Sequence, residues 1–290
     1  MKLIGLIGYP LAHSISPVFQ QEALDHLRID ARYELWETEH DALAERVAGM
    51  RNADCLGANV TVPYKELVVP LLDEVDPLAG RIGAVNTIVN RDGRLSGYNT
   101  DMTGFARALR EEAGFDPSGA HVVLLGAGGA GRAVTMALVQ GKAASVTITD
   151  ILPERAQTIA EDLGRQGETV LRNVPAIGDK LASAVARCQL LVNCTPIGMR
   201  HSKQEHELPI PSELIPAEAL VLDIIYNPFE TRLLAEAKKR GARTLGGLSM
   251  LVYQGAASFE LWTGAEAPVD VMNEAARKAL GPATVKGSED

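Results

Sequence analysis

At 290 residues the chain exceeds the usual size of one domain, so two domains are the default expectation. Hydrophobic residues at 46% and charged residues at 22% fit a globular protein with a full core and exclude a disordered or fibrous chain. A net charge of −9, from 28 Lys and Arg against 37 Asp and Glu, with no basic run to offset it, argues against nucleic acid as a partner. The opening MKLIGLIGYP carries one lysine and a short apolar run that Pro10 breaks, so it reads as a buried strand and not as an export signal or membrane span. Cys55, Cys188 and Cys194 are odd in number and lack CxxC spacing, which suggests neither a disulfide framework nor a metal site. Reduced thiols in the cytoplasm are the expected state.

Short apolar runs then alternate with amphipathic stretches. Residues 2–7 predict a strand, 17–27 a helix, 31–36 a strand, 40–50 a helix and 56–60 a strand, the pattern of an α/β fold with a largely parallel sheet. Between residues 85 and 98 two extended runs flank Asp92-Gly93, a hairpin signal. Asp101 is placed to cap a helix running past Leu109 to Ala113, which Gly114 would end. A fresh series follows: strand 121–125, helix 130–139, strand 145–149, helix 154–163, and further strands at 169–173, 189–193 and 220–224. The last long helix is expected at 250–262, after Gly246-Gly247, and the tail beyond Gly281 is expected to fray. The restart near Asp101 suggests two α/β domains: residues 1–101 rejoined by 246–290, and a Rossmann-like unit at 102–245.

The clearest single motif is Gly126-Ala127-Gly128-Gly129-Ala130-Gly131, between an apolar run and a predicted helix. Glycines at 126, 128 and 131 would give the turn, the close approach to a pyrophosphate and the tight helix–strand packing of a dinucleotide site. The helix start would offer unpaired N–H groups to the phosphates. Alone, such a turn is a weak signal. Here Asp150 closes the next strand about 20 residues on, where a carboxylate accepts hydrogen bonds from ribose hydroxyls and repels a 2′-phosphate. Arg155 lies inside the following predicted helix and is less well placed to reverse that charge. The acid favours NAD, with NADP as the alternative.

Three polar clusters end predicted strands of the first domain, where open α/β sheets build their sites: residues 8–17 (GYPLAHSISP), 57–65 (GANVTVPYK) and 83–87 (GAVNT). A fourth, 97–101 (GYNTD), lies at the handover to the second domain, and 223–228 (DIIYNP) and 253–255 (YQG) come later. Read one by one, Ser14, Ser16 and Asp101 could be helix caps, Asn59 and Asn86 turn residues, and Lys65 a solvated lysine. Together with the glycine turn, and in this order over nearly the whole chain, they resemble the shikimate dehydrogenase family.

The resemblance implies roles position by position. Ser14 and Ser16 match the hydroxyl pair that holds the substrate carboxylate. Asn59, Thr61, Asn86, Asp101 and Gln254 match ligands of the ring hydroxyls, Lys65 and Asp101 the catalytic pair. Tyr226 falls in the motif near nicotinamide and substrate, and Thr195 joins the fingerprint residues and Asp150 in the set expected to touch the cofactor. The residue types suit the chemistry. Negative charge develops on the carbonyl oxygen of 3-dehydroshikimate as hydride arrives, and an ammonium group can stabilise and protonate it. A free lysine titrates near about 10.4, so sequence leaves open whether Lys65 or Asp101 moves the proton.

Many NADP-using members carry Asn-Arg-Thr where this chain has Asp150, Ile151 and Leu152, which resembles the NAD-using quinate/shikimate branch. That branch often has threonine at the second serine, whereas Ser16 is kept here, as in shikimate-preferring enzymes. Shikimate is thus the expected substrate, quinate a second one, and a monomer or homodimer the expected assembly. A non-catalytic dinucleotide or metabolite sensor would be marked by replacement of Lys65 or Asp101, and both are present. A folate-linked dehydrogenase of similar layout is disfavoured by the serine pair and Gln254.

Overall fold

The computed structural model of the chain describes residues 1–164 and 168–281. Its first sheet grows from β1 (Lys2–Gly8), whose Ile4, Leu6 and Ile7 are all buried, as expected for a strand covered on both faces. Parallel neighbours flank it: β2 (Ala31–Glu37), reached through α1 (Ser16–His26), and β3 (Cys55–Val60), reached through α2 (Leu43–Gly49). Beyond β3 the sheet turns antiparallel with the hairpin β5 (Thr87–Arg91) and β6 (Arg94–Tyr98), and the two-residue β4 (Glu74–Val75) pairs with β6 at the edge. Asp92 and Gly93 have φ of 52° and 86°, the left-handed pair that a two-residue hairpin turn requires. The short helix α3 (Pro77–Ile82) precedes β5 and is capped by Asp76, whose Oδ1 accepts from the N–H groups of Leu78 and Ala79.

Helix α4 (Asp101–Glu111) leads to the second sheet: β7 (His121–Leu125), α5 (Gly129–Gln140), β8 (Ser145–Thr149), α6 (Pro153–Gly164), β9 (Val170–Asn173), α7 (Asp179–Val185), β10 (Leu190–Asn193), β11 (Leu220–Asp223), α8 (Arg232–Lys239) and β12 (Arg243–Leu245). All its strands are parallel, in the order β12-β11-β10-β7-β8-β9. This is the doubly wound order of a dinucleotide-binding sheet, with its switch point between β7 and β10.

The chain then returns. Helix α9 (Leu248–Thr263) and α10 (Val269–Leu280) pack Val252, Ala256, Phe259, Trp262, Met272 and Ala276 into one core with Ile4, Phe19, Leu24 and Val89 of the first sheet's side. The other face of α9 gives Met250 and Tyr253 to the core of α4, α5 and the second sheet. Truncating a buried phenylalanine such as Phe259 costs about 3–5 kcal/mol, so this returning helix is a main joint of the molecule.

Several expectations need correction. Residues 40–50 form a 3-10 turn, His40–Ala42, leading into α2, not one regular helix. Asp101 does not cap α4: Thr100 holds the cap position and Asp101 is the first helical residue, its side chain turned elsewhere. The helix at 250–262 is not the last, because α10 follows it. The expected frayed tail from residue 282 lies outside the described residues.

Candidate active site

Lys65 is set by the turn after β3. The Tyr64 N–H donates to Thr61 O at 2.9 Å, and the buried Tyr64 hydroxyl donates to Thr38 O at 2.7 Å. Lys65 O accepts from Val85 N–H at 2.7 Å, which leaves the side chain to cross toward α4. There Lys65 Nζ meets Asp101 Oδ2 at 2.6 Å, with the two side chains only 16% and 6% exposed. Asp101 also sits in the first turn of α4, where the helix dipole favours a carboxylate.

Asn86 is the centre of a buried polar layer behind this pair. Its Nδ2 has Asp101 Oδ1 at 2.9 Å, Thr100 Oγ1 at 2.8 Å and Gln254 Oε1 at 3.1 Å as acceptors, more than its two hydrogens can serve at once. Its Oδ1 accepts from Thr100 N–H at 2.7 Å and Thr87 Oγ1 at 3.0 Å. Asn59 Nδ2 points at Asn86 O, Thr87 Oγ1 and Ser258 Oγ (3.1, 3.3 and 3.0 Å), while Asn59 Oδ1 accepts from the Tyr33 hydroxyl at 2.8 Å. Burial pushes the Tyr33 phenol well above its ordinary pKa, so it stays a donor. Ser258 closes a triangle with Thr87 (2.7 Å) and Thr100 (3.0 Å).

The sequence reading missed Tyr33, Thr87, Thr100 and Ser258. Thr87 and Thr100 lay inside quoted motifs, and Ser258 stands one helical turn after Gln254, so three of the four had a signal. Tyr33 had none beyond its place in a strand.

Ser14 lies in the turn before α1, and its Oγ accepts from Ser16 N–H at 3.3 Å. Tyr226, which follows β11, is buried enough to raise its phenol pKa, and a hydrogen bond with the Ser14 side chain partly offsets that rise. This contact crosses the cleft between the sheets. So does the His13 ring, which stacks on His201 with centroids 4.2 Å apart. Thr61 stands at the end of β3, its N–H bonded to Ile7 O at 2.8 Å.

On the other side of the cleft the glycine fingerprint occupies the switch point. Gly126 has φ of 98°, and a Cβ there would fall 2.9 Å from the Cys194 carbonyl carbon. A Cβ on Gly131 would fall 2.3 Å from Gly126 O, whereas one on Gly128 would meet nothing within 4 Å. No side chain caps α5, which leaves its first amides without a side-chain partner beside that open space, a cradle of the kind phosphates occupy. The residues present fit a dinucleotide. Ala127 N–H and Leu152 N–H donate to Asp150 Oδ2 and Oδ1 at 2.7 and 2.9 Å, fixing the carboxylate beside the cradle. Thr195 lies next to Gly126, its methyl 3.0 Å from where a Cβ on that glycine would sit.

Asp223, at the end of β11, is a second acid the sequence reading assigned no role. Burial raises its carboxyl pKa to about 6, against the lowering effect of hydrogen bonds from Thr231, Ile225 and Asn193. Burial first, then the charges of Asp223 and Asp101, push the Cys194 thiol up, and Lys65 opposes them. Among the described residues no three His, Cys, Asp or Glu side chains gather as a metal site, and no helix is long and apolar enough to cross a membrane.

Comparison with known proteins matches residues 6–88 to the shikimate dehydrogenase substrate binding domain and residues 247–277 to the shikimate 5′-dehydrogenase C-terminal domain. A shikimate dehydrogenase (NADP(+)) of Moorella thermoacetica is 45% identical, over 96% of this chain and 94% of that protein. The Thermus thermophilus enzyme, solved with NADP(H) and shikimate, superposes with a TM-score of 0.85 at 41% identity over 97% of this chain and 100% of that one. The Listeria monocytogenes enzyme, solved with shikimate and NAD, gives 0.86 at 35% identity over 94% and 96%. With motifs, sheet orders and relatives in agreement, the chain belongs to the shikimate dehydrogenase family.

Proposed function

We propose that the chain interconverts 3-dehydroshikimate and shikimate in the cleft between its two sheets. The observation that carries this reading is the Lys65–Asp101 pair, 2.6 Å apart and largely buried, facing the start of the fingerprint helix. A bound nicotinamide would supply or accept the hydride. Lys65 holds an ammonium group toward the substrate oxygen that gains negative charge, stabilising it and giving it a proton. Asp101 keeps that ammonium in place and shares the proton on the return path. Asn86 and Gln254 orient the ring hydroxyls, with Asn59 and Thr61 beside them. Ser14 and Ser16 take the substrate carboxylate, and Tyr226 covers it from the second sheet's side. In this division residues 1–101, with the chain from 246 onward, hold the substrate, and residues 102–245 hold the cofactor.

Asp150 supports NAD as the preferred cofactor. Its carboxylate, held by two backbone amides, stands where ribose hydroxyls would be accepted and a 2′-phosphate repelled. Neighbouring Ile151 and Leu152 bring no cation. The test is a two-by-two assay, shikimate or quinate against NAD or NADP. Shikimate-dependent NADH formation as the fastest reaction is expected, no turnover in any combination would sink the activity, and a strong NADP preference would sink the reading of Asp150.

A further inference from the structure

Two loops wall the crevice on the side of β10 and β11, residues 194–198 and 224–231, and both hang from one carboxylate. Asp223 is 0% exposed. Its Oδ1 accepts from Asn193 Nδ2 at 3.0 Å and Ile225 N–H at 3.1 Å, and its Oδ2 from Thr231 Oγ1 at 2.7 Å. Asn193, equally buried, passes the constraint on: its Oδ1 accepts from Thr195 N–H at 3.0 Å and Thr195 Oγ1 at 2.7 Å, and its Nδ2 reaches Ile197 O at 3.3 Å.

These donors are neutral, and a carboxylate buried among neutral partners is costly. Loop turns can be closed by backbone alone, so the expense points to a job at this place. The second half of a doubly wound sheet, here β10 to β12, receives the second nucleotide of a dinucleotide at the carboxyl ends of its strands. That half carries the nicotinamide when the fingerprint of the first half takes the pyrophosphate and adenosine.

We propose that Asp223 is a positioning residue for the nicotinamide half of the cofactor, setting Thr195 through Asn193 and the backbone around Tyr226 through Ile225 and Thr231. The inference rests on the cofactor reading given above.

The test measures NADH and NADPH binding by nicotinamide fluorescence without substrate, alongside the Michaelis constant for shikimate. Asp223→Ala removes all three acceptor contacts and is expected to raise the cofactor Kd about tenfold or more, with a clearly smaller rise in the shikimate constant, passed on through the backbone of Tyr226. Asp223→Asn keeps an oxygen for Asn193 and Ile225 and can donate to Thr231, so it should recover to within about threefold of wild type. An unchanged Kd in a folded Asp223→Ala protein, or equal losses for cofactor and shikimate, overturns the proposal. If Asp223→Ala does not fold, Asn193→Ala decides: it cuts the link to Thr195 together with the bonds of Asn193 to Asp223 and Ile197, keeps those of Asp223 to Ile225 and Thr231, and an unchanged Kd there also overturns it. Wild-type protein that binds neither dinucleotide would defeat the cofactor reading itself, and this proposal with it.

Discussion

Lys65 and Gly129 face each other across the cleft with little room for a side chain between them: a Cβ built on Gly129 would lie 3.2 Å from Lys65 Cβ and 3.4 Å from its Cδ. The lysine of the first lobe therefore rests against the first residue of the helix whose amides line the cradle of the second. Hydride transfer needs donor and acceptor held at near-contact distance, and this junction puts the Lys65 side chain beside the fingerprint. It also explains why two motifs far apart in the chain read as one site.

Replacing that lysine tests its role. Lys65→Ala is expected to lower kcat for shikimate oxidation by about 10²- to 10⁴-fold, with a change of less than about fivefold in the shikimate Michaelis constant. Loss of an interaction made mainly in the transition state gives that split. A kcat within a few-fold of wild type would remove Lys65 from the chemistry.

The fingerprint glycines separate folding from binding. Gly128 has φ −83° and ψ −168°, extended backbone open to any residue, and empty space where a side chain would go. Gly128→Val should therefore melt close to wild type yet bind NADH or NADPH at least about tenfold more weakly. Gly131→Ala would drive its Cβ to 2.3 Å from Gly126 O, an overpacking expected to cost about 1–3 kcal/mol. Calorimetry and cofactor titration on the two variants check both halves. A Gly128→Val protein with normal affinity would mean that the cradle holds no phosphate.

Much of the fold was legible in the sequence because the strands of the second sheet are buried on both faces and read as plain apolar runs, Val122–Leu125 and Leu220–Leu222 among them. The hairpin at Asp92-Gly93 was legible through turn chemistry. Helix α10 was not, since its core face is Met272 and two alanines, too faint an apolar stripe beside its charged residues. Asp101 looked like a cap because nothing local shows that its partner stands 36 residues upstream. Asp223 falls inside the strand predicted at 220–224 and draws no role there for the same reason. Its meaning lies in Asn193 and Thr231, brought in from other elements.

Cofactor choice can be moved by one atom. Asp150→Asn keeps an oxygen for one of the two backbone amides and removes the negative charge beside the proposed ribose site. It is expected to raise the ratio of kcat/KM for NADP over NAD by about tenfold, the equivalent of about 1.4 kcal/mol. Steady-state assays with both cofactors read this directly. A ratio unmoved by the substitution would show that the carboxylate does not face the 2′ position.

Asp223 should leave a signature in the pH dependence of stability. Its folded pKa is raised to about 6 by burial, whereas in the unfolded chain it returns to about 3.9. Between those values the folded state holds a proton that the unfolded state has released. The ionised group thus weakens the fold above pH 6, and that penalty is relieved as pH falls through the folded pKa toward 4. The full difference is on the order of 2–3 kcal/mol. Asp223→Asn keeps the other titrating groups and loses this one. Urea unfolding of both proteins at pH 7.5 and 4.5 should therefore show wild type gaining stability relative to the variant as the solution is acidified. Parallel curves would mean that the carboxyl titrates like an exposed aspartate, despite its burial at the end of β11.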